Sequence, residues 1–186
     1  MRVTKSSAVS WTVLVLLTAA TMLAVAQSST EDGNSPQQTQ VRGYWSDPAT
    51  GLMWAGTDNG KDISYYKGIK YCRSLGLAGY SDWRLATMFE LQPIDDKSVE
   101  SPGRAGDGKG GKPRDFTWHV KGNLFLTGDE WSNNYAPDDR GKPSGYGWYF
   151  DFNEGESTDD NLGYSAGKRA LCVRGYGDPL AGERQH

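Results

Sequence analysis

Cys72 and Cys172 are the only cysteines in a chain of 186 residues. A bond between them would tie together positions about a hundred residues apart and close a single domain on itself. Whether that bond forms depends on the compartment. Arg2 and Lys5 precede a mostly apolar stretch over residues 13–25, and Ala24-Val25-Ala26 supplies a small-x-small cleavage pattern before Gln27. Residues 1–26 therefore read as a secretory signal. An uncleaved membrane anchor over residues 8–26 is the alternative, weakened by Ser10, Thr12, Thr18 and Thr21. Export, to the periplasm or to the cell surface and medium, places both thiols where a disulfide persists. Such a closure stabilises a fold by up to ~4.7 kcal/mol in the chain-entropy model. Two free buried thiols are the competing reading. A catalytic thiol is a poorer one, since only His119 and His186 could serve it.

Loss of the leader removes two basic residues and no acids, so 20 Lys and Arg against 23 Asp and Glu becomes 18 against 23. An acidic exported domain lacks the basic footprint that nucleic acid requires. No second apolar run follows the leader, so the mature chain is expected to have no transmembrane span.

Residues 27–42 are rich in Ser, Thr, Gln and Asn without apolar periodicity and read as a flexible linker. The domain is expected over 43–176, with a polar tail over 177–186. Tyr44-Trp45 and Leu52-Met53-Trp54 flank a turn shaped by Pro48 and Gly51, a β-hairpin pattern. Asp62 or Ser64 can cap a helix to about Ser74, with Tyr65, Ile69, Cys72 and Tyr66 on its inner face. Thr87 with Glu90 forms a capping box for a second short helix, whose buried face would carry Phe89, Leu91 and Ile94; Pro93 interrupts its second half. Residues 98–115 read as a long Gly-, Pro- and Lys-rich loop. Strands are expected at Phe125, at Trp131 and over 148–152, with a turn at Asn153-Glu154-Gly155. A closing strand over 169–174 would send Ala170 and Cys172 to one face and Leu171 and Val173 to the other.

Several local patterns bear on chemistry. Residues 106–113 nearly match a phosphate-binding loop, but Pro113 stands where the Mg²⁺-ligating hydroxyl belongs. Asp151, Asn153, Glu156 and Asp159 resemble a calcium loop, yet Gly155 breaks the EF-hand register, so a solvated hairpin turn is favoured and no cofactor or metal is expected. The pairs Asp95-Asp96, Asp138-Asp139 and Asp159-Asp160 read as surface turns. Trp131, Asn133, Asn134 and Tyr135 combine rings that stack on sugars with amides that donate and accept hydrogen bonds; a core tryptophan with turn-capping asparagines is the alternative. Arg104, Lys109, Lys112 and Arg114 form the one basic cluster, diluted by Asp107 and Asp115.

Taken together, these residues resemble the domain family named for the C-terminal domain of the Legionella collagen-like protein. Asp47, Thr50, Gly51, Leu52 and Trp54 match its D-x-x-T-G-L-x-W opening. Gly79, Asp82, Trp83, Arg84, Leu85, Thr87, Glu90 and Leu91 match G-x-x-D-W-R-L-P-T-x-x-E-L, with Ala86 in place of proline. Trp131-Ser132, Trp148 with Phe152, and Cys172-Val173-Arg174 match its later elements. The resemblance implies an α+β, C-type-lectin-like fold, with two short helices flanking small twisted antiparallel sheets and a Cys72–Cys172 disulfide. It is related to the formylglycine-generating enzymes, whose chemistry needs a dedicated cysteine pair that this chain would not retain. The calcium-dependent sugar motifs of true C-type lectins are absent.

The expectation is an exported, non-enzymatic binding module for an extracellular or cell-surface ligand, with a polysaccharide favoured. A protein-recognition or envelope-structural domain is the alternative. An enzyme would announce itself by a buried, perturbed carboxylate pair in a cleft. The ligand-facing candidates are Trp131, Asn133, Asn134, Tyr135, Arg104, Lys109, Lys112 and Arg114.

Overall fold

Asp47 makes the first turn. Its backbone N–H donates to Leu52 O (2.8 Å), and its carboxylate accepts from Ala49 N (3.0 Å) and the Thr50 hydroxyl (2.6 Å). Gly51 follows at φ +73°, a conformation that costs an L side chain strain. The D-x-x-T-G pattern is thus a turn that fixes the register of β1 (Tyr44–Ser46) against β2 (Met53–Ala55), with Trp45 opposite Trp54. The computed structural model describes residues 36–106 and 112–175; the expected leader and C-terminal tail lie outside them.

The expected linker ends differently. Its last seven residues form helix α1 (Pro36–Arg42), with residues 27–35 outside the described chain. Proline suits a first helical position, and the helix is held by docking: Thr39 is buried, and the Gln40 amide donates to Asn123 O (2.7 Å). Those contacts are long-range and polar, so apolar periodicity could not reveal them.

Helix α2 (Tyr65–Arg73) starts at Ser64 and buries Tyr65, Gly68 and Cys72, while Ile69 is half-buried and Tyr66 faces solvent. Cys72 bonds to Cys172, with 5.3 Å between their Cα atoms. After β3 (Arg84–Leu85), Thr87 and Glu90 form the expected capping box around α3 (Met88–Leu91). Phe89 is 83% exposed, which corrects its expected burial. The helix makes one turn and tightens at Pro93 into a 3-10 turn (Gln92–Ile94), so Leu91 and Ile94, three apart, share the inner face that Phe89 does not reach.

The expected loop over 98–115 is also corrected. It contributes β4 (Ser101–Ala105), paired with β5 (Arg114–Trp118) in a two-stranded sheet, with residues 107–111 outside the described chain. β4 itself brings almost no apolar side chain. Its Ser101 hydroxyl and Arg104 N–H instead bond to Val120 O (2.7 Å) and Leu126 O (2.9 Å).

The larger sheet runs β8 (Glu156–Asn161), β7 (Pro143–Asp151), β6 (Asp129–Pro137), β9 (Lys168–Arg169), with β9 parallel to β6. Register shifts between Trp131 and Tyr135, where a bulge interrupts β6. Phe125 makes only a single bridge, to Thr57. The expected closing strand is split: β9 joins this sheet, and β10 (Cys172–Arg174) joins the other, ordered β1-β2-β10-β3. The alternation holds across the break. Leu171 and Val173 enter a core with Trp54, Leu124 and Phe150, while Ala170 and Cys172 enter a second with Tyr65, Trp83 and Trp131. The result is an α+β domain of small sheets, few helices and one disulfide.

Candidate ligand site

The loop after β2 carries Asp58, whose buried carboxylate accepts from Gly60 N (2.6 Å), Thr127 N and the Thr127 hydroxyl (2.9 Å). Thr127 Oγ1 in turn accepts from Arg169 Nε (2.6 Å). Arg169 Nη1 donates to Asp62 Oδ1 (2.6 Å) and to Lys168 O (2.9 Å). Thr127, Asp62 and the neighbouring Lys168 carbonyl thereby hold one guanidinium in place, with Asp58 behind Thr127. Glu130 is fully buried nearby, and neither of its oxygens meets a hydrogen-bond donor among the described residues. Burial, reinforced by the Asp58 carboxylate, pushes Glu130 well above the usual carboxylate range, and burial also raises Asp58 against its hydrogen bonds. Burial thus favours the neutral form of Glu130 beside the Asp58 carboxylate.

In front of this network opens a cleft of about 230 Å³, lined by Gly60, Arg104, Pro113, Phe125, Thr127 and Arg169. Arg104 meets Asp115 at 3.7 Å with both side chains largely in solvent, a pairing worth little. Lys112 and Arg114 are exposed on either side of Pro113, and Lys109 lies outside the described residues. The structure thus brings Arg104 from the basic cluster beside Phe125, Thr127 and Arg169, which sequence reasoning missed. Arg169 carried one usable signal: a charged residue at the start of a largely apolar closing strand needs a partner once buried.

Asp58 and Glu130 are the buried, perturbed carboxylates by which an enzyme would announce itself. Neither lines the cleft, Glu130 has no exposed oxygen, and Asp58 already accepts from three donors. Through Thr127, Asp58 helps to hold Arg169 in place.

The Trp131 segment divides. Trp131 is core, with its indole N–H on Ile63 O (2.9 Å). Asn134 Oδ1 accepts from Met88 N (2.8 Å) and so caps α3. Asn133 and Tyr135 reach the surface. Among the calcium-like residues, Asp151 accepts from Asn153 N and Glu154 N in the hairpin turn, while Glu156 and Asp159, an odd number apart on β8, face opposite ways. Two of the acidic pairs supply turn caps: Asp96 accepts from Ser98, and Asp138 from Arg140 N and Lys142 N.

The D-W-R-L residues close the molecule rather than line the cleft. Asp82 grips Arg174 through two bonds (2.7 and 3.1 Å), and the guanidinium lies 3.6 Å from the centre of the Tyr80 ring. Trp83 is core. Arg84 forms a two-pronged pair with Glu90 (2.6 and 2.7 Å) and also donates to Gly175 O (3.1 Å). No helix among the described residues is long and apolar enough to cross a membrane. Comparison with curated proteins finds no match. The family model described as the Lcl C-terminal domain matches residues 43–174, most of the chain and every motif just placed. The chain belongs to the Lcl C-terminal domain family.

Proposed function

We propose that this protein is an exported, non-enzymatic binding module that takes a polysaccharide carrying acidic groups into the Arg104–Arg169 cleft. The observation that carries the reading is the lining itself: two guanidiniums, one of them locked by Thr127 and Asp62, beside the Phe125 ring and the Thr127 hydroxyl. Guanidinium groups recognise carboxylate and sulfate through paired hydrogen bonds, and an aromatic face suits a sugar ring. Membership of the family supports an extracellular binding module, and the disulfide supports an oxidising compartment. A C-type-lectin-like arrangement is supported by the first and last strands sharing one small sheet, with the disulfide joining α2 to β10.

The test is a panel of sulfated, uronic-acid and neutral polysaccharides presented to the disulfide-bonded protein at two salt concentrations, with calcium and with chelator. Salt-sensitive binding to the acidic chains, lost in Arg104→Ala and weakened in Phe125→Ala, is expected. Binding unaffected by both substitutions would remove the cleft from the reading, and a blank panel from folded protein would turn the search to protein partners.

A further inference from the structure

We propose a second ligand site, for the face of an uncharged sugar ring, on the paired tyrosines Tyr66 and Tyr135 above the buried ring of Tyr65. It goes beyond the cleft reading and stands on different residues. Tyr66 is 58% exposed and Tyr135 42%, although they come from α2 and β6. The two rings converge on one buried ring, that of Tyr65, and so are presented together. Both rest on Tyr65: its ring centre is 5.4 Å from that of Tyr66, edge-on, and 5.3 Å from that of Tyr135, tilted by 37°. Trp131 supports Tyr65 from the core side at 5.8 Å.

The floor of this platform is built for that arrangement. Gly147 lies opposite Tyr135 across the sheet, and a Cβ there would sit 2.8 Å from the Tyr65 ring. Only glycine leaves room for the buried ring against β7. Surface tyrosines normally move freely; these are held before any ligand arrives, which lowers the ordering cost of binding.

Two observations set the ligand class. Among the described residues the cations that lie over tyrosine rings do so at Tyr80, Tyr149 and Tyr164, and none lies over Tyr65, Tyr66 or Tyr135. The platform therefore offers bare ring faces, whereas the cleft offers two guanidiniums. The Tyr65 hydroxyl, at the end of a wholly buried side chain, has no hydrogen-bond partner among the described residues. Burial, then the two neighbouring phenols, pushes it up to about 12, so it stays neutral at physiological pH and puts no charge beneath the platform. Apolar sugar C–H faces match the rings, and sugar hydroxyls match the phenols.

The experiment titrates neutral linear hexasaccharides of the β-1,4-glucan, mannan, xylan and chitin types into the full disulfide-bonded protein by calorimetry. At least one is expected to bind. Tyr66→Ala with Tyr135→Ala should weaken it tenfold or more, as loss of aromatic anchors does. Tyr66→Phe with Tyr135→Phe keeps the rings and the fold and should fall between the wild type and the alanine pair. Arg104→Ala should leave neutral-sugar binding unchanged, which separates this site from the cleft. Absence of binding by every neutral chain, survival of binding in the alanine pair, or equal loss in Arg104→Ala would overturn the proposal. Capture of a proline-rich peptide by the tyrosines, with no sugar bound, would overturn it too.

Discussion

The two four-stranded sheets divide the work of the molecule. In β1-β2-β10-β3 no strand exceeds three residues, and the sheet is fastened by the Asp47 turn, the Cys172 bond, the Arg84–Glu90 clamp and the Asp82–Arg174 latch. In β8-β7-β6-β9 two strands reach nine residues and one carries a bulge; this sheet gives Arg169 to the cleft and Tyr135 to the tyrosine platform, where β4 brings Arg104 and α2 brings Tyr66. The D-x-x-T-G-L-x-W, D-W-R-L and C-V-R motifs fall in or beside the first sheet, Trp131-Ser132 and Trp148 with Phe152 in or beside the second, and the second also sends a side chain to each candidate ligand surface. A recognisable pattern in this chain therefore reports how the ends are fastened, and says little about what is bound.

The largest blow to the closure sheet is loss of the disulfide. Replacing Cys72 and Cys172 by alanine should cost about 2–5 kcal/mol in urea unfolding. Ala170 and Cys172 share a core with Tyr65 and Trp131, so both sheets should still unfold in one transition. Separate transitions seen by tryptophan fluorescence and by circular dichroism would break the comparison, making the sheets independent units.

Next comes Arg84→Ala, which strands the mostly buried Glu90 carboxylate and should cost about 1.5–3 kcal/mol. Burial pushes Glu90 up, but Arg84, Thr87 N–H and the Thr87 hydroxyl outweigh it and hold the group below the ordinary range. A lowered folded value gives stability that is present above the unfolded value and lost as pH falls through the folded one. The gap between wild type and variant should thus narrow in acid, in denaturation curves taken from pH 6 down to pH 3. A constant gap would mean that Arg84 acts through Gly175 and packing alone.

The same division explains what could be read in advance. The β1–β2 turn, the capping box, the limits of α2 and the inward alternation around Cys172 all arise from neighbours in sequence, so local rules suffice. Helix α1 and strand β4 are held by Gln40 on Asn123 and by Arg104 N–H on Leu126, contacts that no window of sequence contains. The cleft is of the second kind. Arg104 was legible as part of a basic cluster, but Phe125, Thr127 and Arg169 join it only after the chain has folded back over more than forty residues from Thr127 to Arg169. Likewise Asn134 serves α3 as a cap, a role invisible until Met88 arrives beside it.

A smaller effect, confined to the second sheet, should come from Glu130→Gln. Glu130 is raised in the folded state, so the stability linked to its protonation is complete below the ordinary carboxylate range and is lost as pH rises through the folded value. Glutamine keeps a neutral donor beside Asp58 at every pH. The variant should match wild type near pH 4 and melt a few degrees higher near pH 8, with a residual slope left by Asp58 and Asp129, which burial also raises. A variant less stable at all pH values would show that the carboxyl is held by a partner that glutamine cannot replace.

Asp115→Asn should change stability least and sharpens the comparison most. The Arg104–Asp115 pair is long and solvent-screened, so its removal should shift unfolding by no more than about 0.5 kcal/mol. Its effect on the cleft has a definite sign. Asp115 competes with an acidic ligand for Arg104, and its neutralisation should raise affinity for acidic polysaccharide about two- to fivefold at low salt, the equivalent of a surface ion pair. High salt should erase the gain. In an Arg104→Ala background the same substitution has no guanidinium to release and should do nothing; that non-additivity separates competition at Arg104 from a general change in surface charge. Equal gains in both backgrounds would mean that net charge, rather than the cleft, governs binding.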